Sequence, residues 1–264
     1  MDIKSLSLIG KDVFTEVLRF KNSYNVKEKI KRGASGDVTY VIDRLAEDII
    51  ISNFKSFEIP LNIVSEECGI LDLQGGSNTR VLIDPIDGSK NAINGLPFFC
   101  SSIAIADGKS IGDIYLAYII NLSNGDEFWA QKNKGAFLNG KPIHTHKAPN
   151  IGNIFYESQR PALELPLFLN LFSLASRARC YGSLALSLSY MAQSAASLFI
   201  CPFMSRSFDF AAAYLIAKEA GAIVTDLKGN NIETLETGLD KCTNLLAAAN
   251  DKIHKKTLDA LNNN

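Results

Sequence analysis

Histidine is scarce in this chain, with three residues in 264. His144 and His146 lie two apart on an expected strand, with no third imidazole near them in sequence, so an imidazole-ligated metal centre is not expected. Cysteine is sparse too. The five thiols, at 68, 100, 180, 201 and 242, are odd in number and form no CxxC pair. That argues for reduced thiols in a cytoplasmic protein rather than a disulfide framework or a zinc ribbon. Net charge is nearly absent: 27 basic against 28 acidic residues leave −1. No electrostatic signature of a nucleic-acid or anionic-membrane partner follows from that balance. The first residues carry charges at 2, 4, 11, 12 and 16 and lack an uninterrupted apolar run, so they do not read as a signal peptide. Between Arg179 and Arg206 there is no charge at all, over a stretch long enough to cross a bilayer. Six serines, a glutamine, a glycine and a proline break it up, and it reads as a buried helix followed by a buried strand. What remains is an ordinary globular composition, 47% hydrophobic and 21% charged.

Leu6, Ile9, Val13, Val17, Phe20 and Tyr24 recur at three- and four-residue steps and mark a long amphipathic helix. The glycine-containing run 31–40 reads as an exposed, mobile loop, and a second helix is expected over 43–54. Residues 61–67 (LNIVSEE) read as a strand ending in acids, and 80–89 (RVLIDPIDGS) as another. Apolar runs from 98 to 140 are divided by DG and NG pairs, which is the punctuation of hairpins in an antiparallel sheet. After residue 150, strands and helices alternate: a strand near 177–182, a helix over 183–195, a strand over 197–203 and a helix from Asp209 to Gly221. A hairpin over 221–230, a strand at 245–250 and a closing helix from Asp251 complete the pattern. The expected organisation is an α+β half over 1–145 and an α/β half over 146–264, packed with a cleft between them.

Three groups of acids stand where an apolar strand ends or a helix begins: Glu66 and Glu67, Asp84 with Asp87, and Asp209. In the second group Pro85 cannot donate to a ladder, so the strand is expected to turn there and to aim both carboxylates and the Ile86 carbonyl at one point. Gly88 and Ser89 then open a short helix whose first N–H groups could face an anion. Acids alone repel a phosphate, whereas acids loaded with Mg²⁺ beside such donors clamp it. Taken by itself the DxxDGS string suits a capped turn better than an ion site.

In combination these residues closely resemble the inositol monophosphatase family of Mg²⁺-dependent, lithium-sensitive phosphatases. The match runs through residues 65–67, 82–106, 134–143, 181–188 and 208–226, with further matches at 36–43 and 245–250. The resemblance implies a layered α–β–α–β–α sandwich and two or three Mg²⁺ ions. It places Glu66, Asp84 and the Ile86 carbonyl on the first ion, Asp84, Asp87 and Asp209 on the second, and Glu66 again on a looser third. Glu67 would not be a principal ligand. Glu66 and Ser89 would orient the attacking water, with Ser89 standing where the family usually has Thr, and Asp43 would support the network behind them. Asp87 and the backbone N–H groups of Gly88 and Ser89 would meet the phosphate. Lys90 departs from the family pattern and either adds positive potential or faces solvent.

Substrate residues are less determined. Inositol-specific members place a Glu where this chain has Pro202. Arg206, three before Asp209, resembles the archaeal-type subgroup that takes both inositol monophosphates and fructose 1,6-bisphosphate, and a guanidinium there could pair with a second phosphate. Arg179 is a second candidate, the backbone near Leu184 would line the pocket, and Tyr156 and Arg160 are further candidates. The leading expectation is a sugar- or cyclitol-phosphate phosphatase. The alternatives are a phosphatase for 3′-phosphoadenosine 5′-phosphate or histidinol phosphate, or a regulatory protein that keeps the fold. A homodimer is expected by resemblance. The apolar run 163–175 suits either its interface or the core.

Overall fold

A computed structural model describes residues 1–23, 29–34 and 38–262. Helix α1 (Ile3–Ser23) turns Leu6, Ile9, Val13 and Val17 into one stripe with no exposed surface, as their spacing predicts. Tyr24 lies outside the described residues. Helix α2 (Val41–Ser56) lies against α1 and buries Ile42, Ala46, Ile50 and Phe54. Between these helices β1 (Lys29–Arg32) and β2 (Val38–Tyr40) pair antiparallel, where a loop was expected. The β-branched and aromatic run Val38-Thr39-Tyr40 favours extended backbone, which the glycine count obscured. Residues 35–37, where mobility was expected, lie outside the described residues.

The first sheet takes its eight strands from residues 61 to 143: β3 (Leu61–Ser65), β4 (Gly69–Leu73), β5 (Thr79–Asp87), β6 (Cys100–Asp107), β7 (Ile114–Asn121), β8 (Glu127–Gln131), β9 (Ala136–Leu138) and β10 (Lys141–Ile143). Their order is β10-β9-β8-β7-β6-β5-β3-β4, antiparallel except for the parallel pair β3–β5. Helix α3 (Ser89–Asn94) follows β5 directly. Strand β5 does not stop at Pro85. It continues to Asp87, and the register slips so that Asp84 faces Ser102 while Asp87 faces Cys100. Residues three apart on a regular strand point to opposite faces. The extra residue absorbed by this bulge resets the alternation and lets Asp84 and Asp87 share a side. His144 and His146 are not on a strand; they follow β10 in irregular backbone.

The second sheet uses β11 (Asn153–Tyr156), β12 (Arg177–Arg179), β13 (Leu198–Arg206), β14 (Ile223–Thr225) and β15 (Lys241–Ala248), in the order β12-β11-β13-β15-β14. The expected hairpin over 221–230 closes its turn, the Asp226 N–H donating to the Asn230 carbonyl at 3.1 Å, but forms no strand pair of its own. Strand β14 pairs with β15 instead, while the Asp226 carboxylate gathers the N–H groups of Lys228 and Asn230 into a turn. The second half also holds α4 (Pro161–Glu164), α5 (Leu169–Ser173), α6 (Leu184–Ala192), α7 (Ser207–Glu219) and α8 (Asp251–Asn262).

Five layers result. Helices α1 and α2 cover the outer face of the first sheet, α6 and α7 lie between the sheets, and α5 and α8 close the far side. Alternation on β5 divides the cores: Val81 and Ile83 pack outward with α1 and α2, while Leu82 packs inward with α6 and α7. A helix between two sheets meets apolar surface all round, which accounts for the absence of charge between Arg179 and Arg206. Among the described residues no helix is long and apolar enough to cross a membrane. In the run 163–175, Phe168 and Leu171 enter the outer core, whereas Leu163, Leu167, Leu169 and Leu174 are exposed.

Candidate active site

The turn after β3 carries Glu66 and is tied down by a glutamate from another element. Glu47 of α2 has no exposed surface, and its Oε1 accepts the Ser65 hydroxyl and the N–H groups of Glu67 (3.2 Å) and Cys68 (2.9 Å). The Arg44 guanidinium sits 3.3 Å from its other oxygen. Glu67 turns back toward β2, accepts the Thr39 hydroxyl, and is pushed up to about 7, mainly by burial.

Asp84 lies at the centre, with 4% of its surface exposed. Its Oδ1 is buried without a hydrogen-bond partner among the described residues. Burial raises its carboxyl well above the usual carboxylate range, and the charges of Glu66, Asp87, Asp209 and Asp43 raise it further. These acids come from the turn after β3 and from β5, α7 and α2, so chain regions remote in sequence converge on Asp84. At the start of α7, Asp209 caps its own helix, its Oδ2 accepting the Arg206 N–H at 2.8 Å.

Asp87 is held differently. Its Oδ2 accepts the Ser183 hydroxyl (2.6 Å) and the Ala185 N–H (2.7 Å), and its Oδ1 accepts the Leu184 N–H (3.2 Å). These donors are the otherwise unbonded groups at the start of α6. Burial still raises the Asp87 carboxyl, while the donors draw it back down.

The chain leaves β5 through Gly88 at φ 90°, a left-handed conformation that favours glycine. A Cβ there would stand 3.1 Å from the Phe98 carbonyl and 3.2 Å from that of Gly182. Ser89 next donates its hydroxyl to the Ile86 carbonyl at 2.9 Å, and it lies beside the Asp43 carboxylate. Asp43 accepts the Tyr40 N–H at 2.8 Å through Oδ2, and its Oδ1 is buried without a partner among the described residues. A hydroxyl has one proton, so Ser89 donates either to Ile86 or to Asp43 and not to both at once. Burial pushes Asp43 up to about 6. Lys90 faces solvent.

Other residues are placed less directly. Leu184 contributes its backbone to the Asp87 cradle. Arg206 stands at the junction of β13 and α7, with its guanidinium 6.0 Å from the Phe208 ring. Arg179 ends β12, half-buried, with one guanidinium nitrogen enclosed and unpartnered among the described residues. Tyr156 is not part of the site: it alternates with Phe155 on β11, faces the outer core and packs on Phe172. Arg160 is exposed at the start of α4. A cavity of about 520 Å³ is lined by Asn150, Ile151, Leu174, Lys256, Asp259 and Ala260, and Glu66, Asp84, Asp87 and Asp209 are not among its lining residues.

Glu157 escaped the sequence reading. It is buried, accepts the Gly182 N–H and the Ser187 hydroxyl (3.2 Å each), and is pushed up to about 8 by burial and then by the Asp87 charge. Its signal was faint but present, since it directly follows β11 as Glu66 directly follows β3.

Among the described residues no three His, Cys, Asp or Glu side chains already stand gathered to hold an ion. Asp87 and Asp209 meanwhile accept backbone N–H groups at the starts of α6 and α7. The donor set around Asp84 is all oxygen, and it includes a buried oxygen with no partner. That set fits a hard divalent cation and not a soft one.

The inositol monophosphatase family model matches residues 3–264. The fructose-1,6-bisphosphatase/inositol-1-monophosphatase of Thermococcus kodakarensis is 34% identical over 260 residues, covering 96% of this chain and 94% of that one. A bifunctional NADP phosphatase/NAD kinase of Methanocaldococcus jannaschii is 30% identical over 271 residues, covering 89% of this chain but 46% of that one. A solved inositol monophosphatase-fructose 1,6 bisphosphatase superposes with a TM-score of 0.83 at 30% identity, covering 98% of this chain and all of the other (100%). Five alternating layers, acids converging from four elements and a match along nearly the whole sequence lead to one conclusion: the chain belongs to the inositol monophosphatase family.

Proposed function

We propose that the protein is a Mg²⁺-dependent phosphomonoester hydrolase that acts on fructose 1,6-bisphosphate and myo-inositol 1-phosphate. The observation that carries this reading is the buried Asp84 carboxylate set among four other acids, an arrangement that bound divalent charge stabilises. Glu66, Asp84 and the Ile86 carbonyl would hold one ion, and Asp84, Asp87 and Asp209 a second, with Glu66 shared by a third. Bound there, divalent cations supply the acidity of the attacking water and neutralise charge on the phosphoryl group and the leaving oxygen.

The remaining tasks fall to the chain. The Ser89 Oγ accepts a hydrogen bond from the attacking water while donating to Asp43 Oδ1, and Glu66 completes its orientation. Gly88 and Ser89 present backbone N–H groups to the phosphoryl oxygens, because the first turn of a helix leaves them without intrahelical acceptors. The backbone at Leu184 borders the sugar or cyclitol. Arg206 and Arg179 are assigned to the second phosphate of a bisphosphate, for which a guanidinium fork is suited. The absence of a glutamate at Pro202 supports a pocket that is not restricted to inositol.

A second reading is favoured by the relatives named as NADP phosphatases, which would put a 2′-phosphorylated nucleotide in the same pocket. Trp129 offers it no platform, since its ring stacks on Phe137 at 4.0 Å within the β8–β9 hairpin. The protein is also assigned to the cytoplasm on its five free cysteines, and to a homodimer through the exposed leucines of 163–174.

Phosphate release with Mg²⁺ from fructose 1,6-bisphosphate, myo-inositol 1-phosphate, NADP, 3′-phosphoadenosine 5′-phosphate and histidinol phosphate, ranked by kcat/KM, tests the assignment. The first two are expected to lead. NADP in front would favour the second reading, and undiminished turnover in Asp84→Asn or Asp209→Asn would refute the ligand set.

A further inference from the structure

The proposed chemistry gives Glu157 no task, yet only 6% of it is exposed. It follows β11, and its amide donates to the Ile200 carbonyl of β13 at 2.9 Å, which fixes its backbone. Its alternation with Tyr156 turns the side chain toward α6, the side on which Phe155 also packs. There one oxygen, Oε1, accepts both the Gly182 N–H and the Ser187 hydroxyl, each at 3.2 Å.

Those two donors bracket a short segment. Gly182 lies before the first turn of α6, and Ser187 lies just beyond it. Between them stand Ser183, Leu184 and Ala185, the three residues whose donors converge on Asp87. The bend itself is tightly placed: Gly182 has φ 77°, and the Asn91 side chain, 3.3 Å from where a Cβ would lie, donates to the Tyr181 carbonyl. One carboxylate oxygen therefore ties together both ends of the segment that grips Asp87.

We propose that Glu157 is a positioning residue that fixes the start of α6, so that its three donors hold the Asp87 carboxylate in one orientation toward Asp84. The proposal rests on the phosphatase reading, in which Asp87 is a cation ligand. Groups that orient a ligand from behind typically change metal affinity by about 10–100-fold when they are lost.

The test is Mg²⁺ binding by calorimetry, together with kcat, KM and the Mg²⁺ concentration for half-maximal activity, in wild type, Glu157→Ala, Glu157→Asp and Glu157→Gln. In Glu157→Ala, Mg²⁺ affinity and half-saturation are expected to weaken by about 10-fold or more, with KM for the organic substrate moving far less. Glu157→Gln keeps an acceptor oxygen in reach of Gly182 and Ser187 and should recover most of the loss. Glu157→Asp keeps the carboxyl group but withdraws it by one methylene, so it should fall between the two. It carries the test if the alanine variant does not fold. A folded Ala or Asp variant that binds Mg²⁺ within about twofold of wild type would overturn the proposal. Asp87→Asn in the same titration separates the two levels. If it loses Mg²⁺ binding while the Glu157 variants keep it, only the positioning role fails. If it too behaves as wild type, the phosphatase reading fails first.

Discussion

Asp84 and Asp87 stand three residues apart on β5 and share one face, yet their surroundings are opposite. Asp87 meets donors: a hydroxyl and two N–H groups from the start of α6 occupy both of its oxygens. Asp84 meets acids: Glu66, Asp87, Asp209 and Asp43 crowd it, and its Oδ1 has no partner among the described residues. Burial lifts both carboxyls, but the helix draws Asp87 back while the neighbouring charges push Asp84 further. The contrast separates two jobs in one site. At Asp87 the fold fixes the direction of a carboxylate. At Asp84 it leaves a carboxyl that a proton neutralises in the metal-free chain and that, under the proposed function, a divalent cation would neutralise instead.

The sharpest way to break this contrast is to neutralise each residue in turn. Asp84→Asn and Asp87→Ala should each lower kcat by about 10³-fold or more, as expected when charge stabilisation of a phosphoryl transfer is lost. Their effects on metal-free stability should have opposite signs. Asp84→Asn relieves repulsion and should raise Tm. Asp87→Ala strips the acceptor from the start of α6 and should cost about 1–2 kcal/mol. Thermal unfolding in the presence of a chelator reads both, and shifts in the same direction would break the comparison.

A pH series comes next in size. Asp43, Glu67 and Glu157 are raised to about 6, about 7 and about 8, and Asp84 is raised as well. Between the ordinary carboxylate range and those values the folded chain binds more protons than the unfolded chain. Metal-free stability should therefore fall as pH rises from about 4 to about 8, and Mg²⁺ should restore part of it at the upper end. Urea unfolding at about pH 5 and about pH 8, with and without Mg²⁺, measures this, and metal-free stability that rises over the window would contradict it.

Arg206→Ala should raise KM for fructose 1,6-bisphosphate about 10-fold, the worth of one charge-assisted hydrogen bond, while changing KM for myo-inositol 1-phosphate little. An equal change for both substrates would remove Arg206 from the second phosphate. The smallest catalytic effect is expected at the exposed leucines. Leu167→Asp should turn a dimer into a monomer in sedimentation and leave kcat within about twofold, because the site lies within one chain.

Much of this arrangement is legible in the residues themselves. The α1 stripe, the apolar α6 and β13 and the NG-punctuated hairpins follow from periodicity and turn chemistry, because burial on one face or on all faces writes a short-range pattern. Glu66, Asp84, Asp87 and Asp209 stand out because each interrupts apolar sequence where a strand ends or a helix begins. What was missed depends on contacts between distant segments. The bulge at Pro85 is set by pairing with β6, and β14 pairs with β15 instead of within a hairpin of its own. Glu47 looks like an ordinary acid in one dimension, and Glu157 is marked only by its place directly after β11. The hydrogen bonds by which they tie down the two turns reach 18 and 25 residues along the chain, from Ser65 to Glu47 and from Gly182 to Glu157, and no local pattern records those pairings.

Calorimetric titration of the substrate-free protein with Mg²⁺ near neutral pH, beside Asp84→Asn, tests the central claim most directly. Wild type should bind about two ions per chain, and the variant should lose that binding. An unchanged isotherm in Asp84→Asn, or a wild type that takes up no Mg²⁺, would contradict the account.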